Sequence, residues 1–269
     1  RDDDSVRAAM LGANAVVNCV GVLAESGRNT FKAVQEEGPE RIARIAAGLE
    51  VERMVHVSAI GADADSPSAY ARTKAAGEDG VLRHMPQAVI LRPSILFGAE
   101  DEFFNRFASM AQISPVIPVV GAGTRFQPVH VDNVAEAAAL AIEGKAAPGV
   151  YELGGPDVDT FRELMTQMLG LIRRRRLVVN LPFGLASLMA GAFDLGSRAS
   201  FGLLPAPITP DQVKSLRVDN VVSPGARGFA ELGIEPTSME AVLPDYLWRF
   251  RPSGQYSAIK ESAKNLRRS

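Results

Sequence analysis

Tyr70-Ala-Arg-Thr-Lys74 is the part of this sequence whose residue types and spacing point most directly to chemistry. On a helix, side chains four apart share a face, so the phenol and the ammonium can converge on one ligand. A neighbouring ammonium lowers the pKa of a phenol, as acid or base work near neutral pH requires. Alone, the spacing is weak evidence. With four Tyr and six Lys in 269 residues, it arises by chance in about one such chain in eleven. The plain alternative is a surface lysine beside a tyrosine at a helix start.

The elements around the pair shift that balance. Residues 53–58 (Arg-Met-Val-His-Val-Ser) form a short apolar run that suits a strand buried on both faces. A loop rich in Asp, Ser and Pro follows, then a helix expected over 69–85. Tyr70 and Lys74 thus open a helix at the carboxyl end of a strand, where open α/β sheets bind ligands. The alternation holds on either side. A short helix capped by Asp4 or Ser5 precedes a strand at 15–20 that ends in Gly21. Residues 30–49 read as a helix, with Ile42, Ile45, Ala46 and Leu49 on one face and a kink or split at Gly38-Pro39. A third strand at 88–92 stops at Pro93. Strands alternating with helices of this length imply βαβ units and a parallel sheet.

After residue 93 the pattern loosens. A Phe-rich helix (Phe103, Phe104, Phe107, Met110) leads into a Pro-rich stretch at 113–118. A strand at 126–131, a helix capped by Asp132 and a strand at 150–153 follow. Then come a helix at 159–171, a strand at 175–180, apolar helical turns to Leu204, and short helices near 209–216 and 238–248. The expected architecture is α/β, a Rossmann-like parallel sheet flanked by helices. Residues 1–155 form the dinucleotide-binding domain, 156–250 a smaller α+β lobe interleaved with it, and 251–269 a polar tail.

Composition excludes several functions. The formal net charge is −2, which argues against nucleic acid as a partner, since that requires a basic footprint. One cysteine, Cys19, rules out a disulfide scaffold and a cysteine-built metal site. The scattered His56, His84 and His130 argue against a histidine metal cluster, so no metal is expected. His130 on an apolar strand reads as a core histidine, the Phe103/Phe104/Phe107 stripe as core or interface, and Trp248 as an anchor for the last helix. No window has the apolar length of a membrane-spanning helix, and Arg1-Asp2-Asp3-Asp4 is not a signal peptide.

Four segments in order resemble the extended and atypical short-chain dehydrogenase/reductase superfamily: Val55-His-Val-Ser-Ala-Ile-Gly61, Tyr70-Ala-Arg-Thr-Lys74-Ala-Ala-Gly-Glu78, Leu91-Arg-Pro-Ser94 and Pro128-Val-His-Val-Asp-Asn-Val134. Phe103-Phe-Asn-Arg-Phe-Ala-Ser-Met110 and Leu232-Gly-Ile-Glu-Pro-Thr237 look most like one branch. That branch is the nucleotide-binding accessory subunit (alpha-subcomplex subunit nine) family of respiratory complex I. The resemblance spans roughly residues 1–250. It implies NAD(H) or NADP(H) as cofactor, with Tyr70 and Lys74 on the nicotinamide ribose. It also implies that Gly21 and Val22 line the cleft, Ser58 borders the nicotinamide, and Pro93, Ser94 and Ile95 close over its ring. Complex I subunits would be the partners, at the cytoplasmic or matrix face of the respiratory inner membrane.

The sequence departs from the superfamily twice. It has no Gly-rich phosphate loop, which the superfamily carries in its first βα turn, so about two βα units are expected upstream. Where catalytic members carry a Ser or Thr beside Tyr and Lys, this chain has Ala59, or Ser58 one residue away. Alanine has no donor for a developing oxyanion, which favours a held nucleotide over turnover. If the chain is active, the resemblance implies an epimerase, dehydratase or reductase acting on a nucleotide-sugar or similar molecule, with Tyr70 and Lys74 catalytic. A redox-sensing binding module is the remaining alternative. Separately, Arg173-Arg-Arg-Arg176 beside the apolar run from Leu177 suits either an anionic membrane surface or partner, or a strand with a basic edge.

Overall fold

A computed structural model describes residues 2–199 and 208–252. The helical turns expected at 200–204 and the tail from 253 lie outside the described residues. Helix α1 (Asp3–Met10) is capped by Asp2, earlier than the Asp4 or Ser5 expected, and the Asp2 carboxylate accepts from the Ser5 amide at 3.2 Å. Strand β1 (Ala15–Asn18) ends where the Asn18 side-chain oxygen takes the Val20 N–H.

The expected helix at 30–49 splits at its proline. A π-helical turn (Lys32–Glu36) precedes α2 (Glu37–Gly48). Pro39 has no N–H to give to the carbonyl of Gln35 four residues back. That carbonyl lies against the next helix instead, where a Cβ on Gly77 would sit 2.0 Å from it. Only glycine allows so close an approach.

Strand β2 (Arg53–Val57), helix α3 (Ala69–His84) and strand β3 (Val89–Pro93) follow close to expectation. After a short β4 (Leu96–Phe97) and helix α4 (Phe103–Ile113), the Pro-rich stretch forms β5 (Val116–Val120). The expected strand at 126–131 resolves into two short pieces, β6 (Arg125–Phe126) and β7 (Val129–His130). Helix α5 (Val131–Ile142) is capped by His130, so Asp132 lies within its first turn and favours the positive helix end from there. The chain continues through β8 (Gly149–Leu153), β9 (Asp159–Thr160), α6 (Phe161–Leu171), β10 (Leu177–Leu181) and α7 (Phe183–Ala199). It closes with α8 (Pro210–Ser215), α9 (Phe229–Leu232), α10 (Met239–Leu247) and a 3-10 turn (Trp248–Phe250).

The main sheet is wholly parallel, in the order β1-β2-β3-β8. Its strands are apolar on both faces, and neighbours in sequence serve different cores. Met54 and Ile90 pack with Ile45, Val81 and Met85 beneath α2 and α3. Val55 and Leu91 pack with Val134, Ala137 and Leu153 beneath α5. This is a Rossmann-like sheet flanked by helices.

A third core holds Phe104, Ile117, Phe126, Phe161, Met165 and Leu243. It joins α4, α6 and α10 to β5, which pairs in parallel with β10. Phe107 meets Phe161 and Phe103 edge-on and Phe103 packs tilted against Phe161, so the aromatic stripe is core. His130 likewise packs on the Phe97 ring. Trp248 is 38% exposed, and the closing helix is anchored instead by Leu243, Tyr246 and Leu247.

Candidate functional site

Helix α3 starts at Ser68, its N-cap, and carries Tyr70 in its first turn and Lys74 one turn further on. The lysine stem runs inward, leaving the residue 5% exposed. Its Nζ donates to the Val57 carbonyl at 3.2 Å, at the carboxyl end of β2. Gly21, just beyond β1, comes so close that a Cβ there would meet Nζ at 3.4 Å. Burial lowers the Lys74 pKa to about 8, against the opposing pull of Glu78 and Cys19. The ammonium keeps donors beyond the one given to Val57, beside a backbone with no side chain in the way.

Tyr70 stands next to it, half-buried, with its ring edge-on to Phe31 at 5.8 Å. Lys74 Nζ lies 6.0 Å from the ring centroid, a cation–π separation. The expected lowering of the phenol pKa does not occur. Burial pushes it up to about 12, because desolvation of the phenolate outweighs a lysine placed over the ring.

Val22 is held through its carbonyl, which accepts from Gln35 Nε2 at 2.6 Å, and Gln35 Oε1 in turn accepts from Thr73 on α3. Below lies the buried pair Asn18 and His56, side chain to side chain at 3.0 Å. The Asn18 oxygen is engaged by Val20, so its amide donates to His56 Nδ1 and the imidazole Nε2 carries the hydrogen. Among the described residues that Nε2 has no hydrogen-bond partner. Burial and then the Lys74 charge depress the His56 pKa to about 3, so the ring is neutral.

Gly21, Tyr70 and Lys74 therefore lie together at the carboxyl ends of β1 and β2, with Val22 tied to α3 through Gln35 and Thr73. The other expected residues have partners of their own. Ser58 is buried and its hydroxyl donates to Glu78. Glu78 also takes two guanidinium nitrogens of Arg92, with Nη2 at 2.6 Å, and Arg92 reaches Glu152 at 3.4 Å. Glu152 accepts from the Ser223 amide. Pro93 is buried in register with Leu153. The Ser94 hydroxyl donates to the Asn220 side chain at 2.7 Å, and Ile95 packs on the third core.

Asn220, Asp211 and the Glu78–Arg92–Glu152 chain all shape this region. Asp211 and Asn220 lie more than a hundred residues from their partners, so no local pattern marked them. Glu78 and Arg92 stood inside recognised motifs, but spacing alone could not pair them.

Of the four arginines, Arg174 Nε donates to the Phe250 carbonyl and Arg176 Nε to that of Ala111, both at hydrogen-bond distance. These two belong to the packing. Beyond β10, α7 buries Ala186 and Ala190 and exposes Leu185, Leu188, Met189, Phe193 and Leu195, with Leu188 73% exposed. Among the described residues, no helix is long and apolar enough to cross a membrane.

The RmlD substrate binding domain family matches residues 2–169. The chain is 36% identical over 260 residues to the mitochondrial NADH dehydrogenase [ubiquinone] 1 alpha subcomplex subunit 9 of Arabidopsis thaliana, covering 94% of this chain and 65% of that one. It is 32% identical over 267 residues to the protein of the same name from Mus musculus, covering 98% and 69%. The chain thus spans about two thirds of the length of these relatives. Among solved structures, the dTDP-glucose 4,6-dehydratase DesIV of Streptomyces venezuelae, with NAD bound, superposes with a TM-score of 0.67. It is 20% identical, covering 94% of this chain and 78% of that one.

Proposed function

We propose, for a chain that belongs to the family of NADH dehydrogenase [ubiquinone] 1 alpha subcomplex subunit 9, that it is an NAD(P)(H)-holding accessory subunit of respiratory complex I without independent turnover. The single observation that carries the reading is the Lys74 ammonium. It is buried, bonded to one backbone carbonyl and faced by the bare backbone of Gly21. A buried charge with donors to spare is costly unless something polar meets it. Ribose hydroxyls would meet it, with the Tyr70 phenol beside them.

When bound, the dinucleotide would supply hydride chemistry. The protein's own residues do little to use it. The Tyr70 phenol holds its proton to about pH 12, Ala59 offers no donor, and the neighbouring Ser58 hydroxyl is committed to Glu78. Gly21, Val22, Tyr70 and Lys74 are proposed as the contact set. Ser58 braces it from beneath, and Pro93, Ser94 and Ile95 form its far edge. Residues 1–155 would be the nucleotide-binding domain and 156–250 a smaller lobe interleaved with it, an interleaving that the pairing of β5 with β10 across that boundary supports.

Fluorescence titration with NADH and NADPH tests the reading. Lys74→Ala should weaken binding by about 10- to 150-fold, the equivalent of one charge-assisted hydrogen bond at about 1.5–3 kcal/mol, and Tyr70→Phe by about 2- to 13-fold, the equivalent of one neutral hydrogen bond at about 0.5–1.5 kcal/mol. Turnover of a nucleotide-sugar, abolished by Tyr70→Phe with binding intact, would replace this reading with that of an active epimerase, dehydratase or reductase.

Attachment to the inner membrane is proposed through α7, whose apolar stripe suits the interface plane of a bilayer. The protein should float with cardiolipin-containing vesicles and Leu188→Glu should not. Equal flotation of both would remove α7 from the contact.

A further inference from the structure

We propose that Asp211 is a positioning residue for the dinucleotide cleft, fixing Tyr70 through the backbone of α3 from the far end of the chain. This rests on the nucleotide reading above. The first amides of a helix have no partners within it, and the α3 N-cap does little for them. The Ser68 hydroxyl oxygen reaches only the Ala71 amide, at 3.4 Å. The Asp211 carboxylate meets the rest. Oδ1 accepts from the Ala69 N–H at 2.7 Å, and Oδ2 accepts from the Tyr70 N–H at 3.0 Å and the Ser68 hydroxyl at 2.8 Å. A negative charge on the positive end of a 16-residue helix adds to these bonds.

Asp211 is itself held rigidly. It lies in α8, whose Thr209–Gln212 capping box fixes the first turn and whose Val213 packs on Ala186 and Ala190 of α7. The Leu216 carbonyl at its end accepts from Thr124 at 2.6 Å. The same short helix also reaches the loop that follows β1. Gln212 Nε2 donates to the Leu23 carbonyl at 3.2 Å, two residues beyond Gly21, while Ser215 donates to Ser68 at 3.1 Å. Helix α8 therefore ties the β1 loop to the start of α3 at the level of Tyr70. Lys74 lies a turn deeper and has its own tether at Val57, so the first turn and its phenol depend most on Asp211.

The test combines amide hydrogen exchange with a double-mutant cycle. Asp211→Ala should speed exchange at Ala69 and Tyr70 at least tenfold while leaving the α3 interior unchanged. Asp211→Asn, which keeps the shape and one acceptor oxygen, should fall between. In titrations, Asp211→Ala should weaken NADPH binding about tenfold, one hydrogen bond's worth, and leave ADP, which lacks the nicotinamide ribose, unaffected. Asp211→Ala combined with Tyr70→Phe should bind NADPH no more weakly than Tyr70→Phe alone, because both act through one phenol. Additive losses, an equal loss for ADP, or unchanged exchange at Ala69 and Tyr70 would overturn the proposal. A wild-type protein that binds ADP but not NADPH would sink the nucleotide reading and this role for Asp211 with it. Faster exchange in Asp211→Ala would then mark only a helix cap.

Discussion

Lys74 and Glu78 lie one turn apart on α3, both buried, and their surroundings differ in kind. Glu78 is met by Ser58 and by two nitrogens of Arg92, and Arg92 carries the chain to Glu152 and Ser223. Strands β2, β3 and β8 and the segment after α8 are thereby linked through ionised groups with their hydrogen bonds met. Among the described residues Lys74 has one carbonyl and no carboxylate in bonding contact. The lesson concerns cost. A buried charge with partners is a strut, and removing one partner strands the other. A buried charge without them is a standing penalty that a ligand can relieve.

The largest expected effect breaks the strut. Glu78→Ala leaves Arg92 with only the longer contact to Glu152 and Ser58 without its acceptor, and should cost about 3 kcal/mol. That is the low end for a buried pair, since Arg92 is partly exposed. Thermal and urea melts read it. A variant melting within a degree or two of wild type would show that the network carries little.

The second effect is of opposite sign. Lys74→Met should melt at or above wild type at pH 7, since it removes an incompletely compensated charge of similar volume. The difference should depend on pH. Lys74 loses its proton near pH 8 in the fold and near 10.5 unfolded. Between those values the unfolded chain binds more protons, so wild-type stability rises with pH by at most about 1.4 kcal/mol per unit, and Lys74→Met lacks this rise. Dinucleotide affinity should move the other way, falling as pH passes 8 and the ammonium empties. A flat affinity profile from pH 7 to 9.5 would separate Lys74 from the ligand.

The smallest effect extends the comparison to the arginine cluster. Arg174→Gln removes a bond to the Phe250 carbonyl and should cost about 1 kcal/mol. Arg175→Gln, on the exposed edge, should stay within about 0.5 kcal/mol of wild type. Equal melts for the two would mean that the Arg174 contact contributes nothing.

Much of this was legible from local sequence. Period and punctuation located β2, α3 and β3 within a residue or two. The lack of an N–H in Pro39 foretold the split before α2. The convergence of Tyr70 and Lys74 followed from helical spacing alone. Other features were misread because local signals competed. Proline hid β5, which the ladder to β10 stabilises. Acidic and hydroxyl residues near two helix starts suggested caps two or three positions late.

The sequence by itself determined which residues could become strands and helices, because apolar period, glycine and proline act over a few residues. It also brought Tyr70 and Lys74 to one face of one helix. Only the tertiary structure decided that the phenol pKa rises, that Ser58 turns to Glu78, and that Asp211 caps the helix from 141 residues away. Each of those depends on what surrounds a group in space. Desolvation and long-range hydrogen bonds are set by packing, and packing joins residues whose separation along the chain carries no periodic signal.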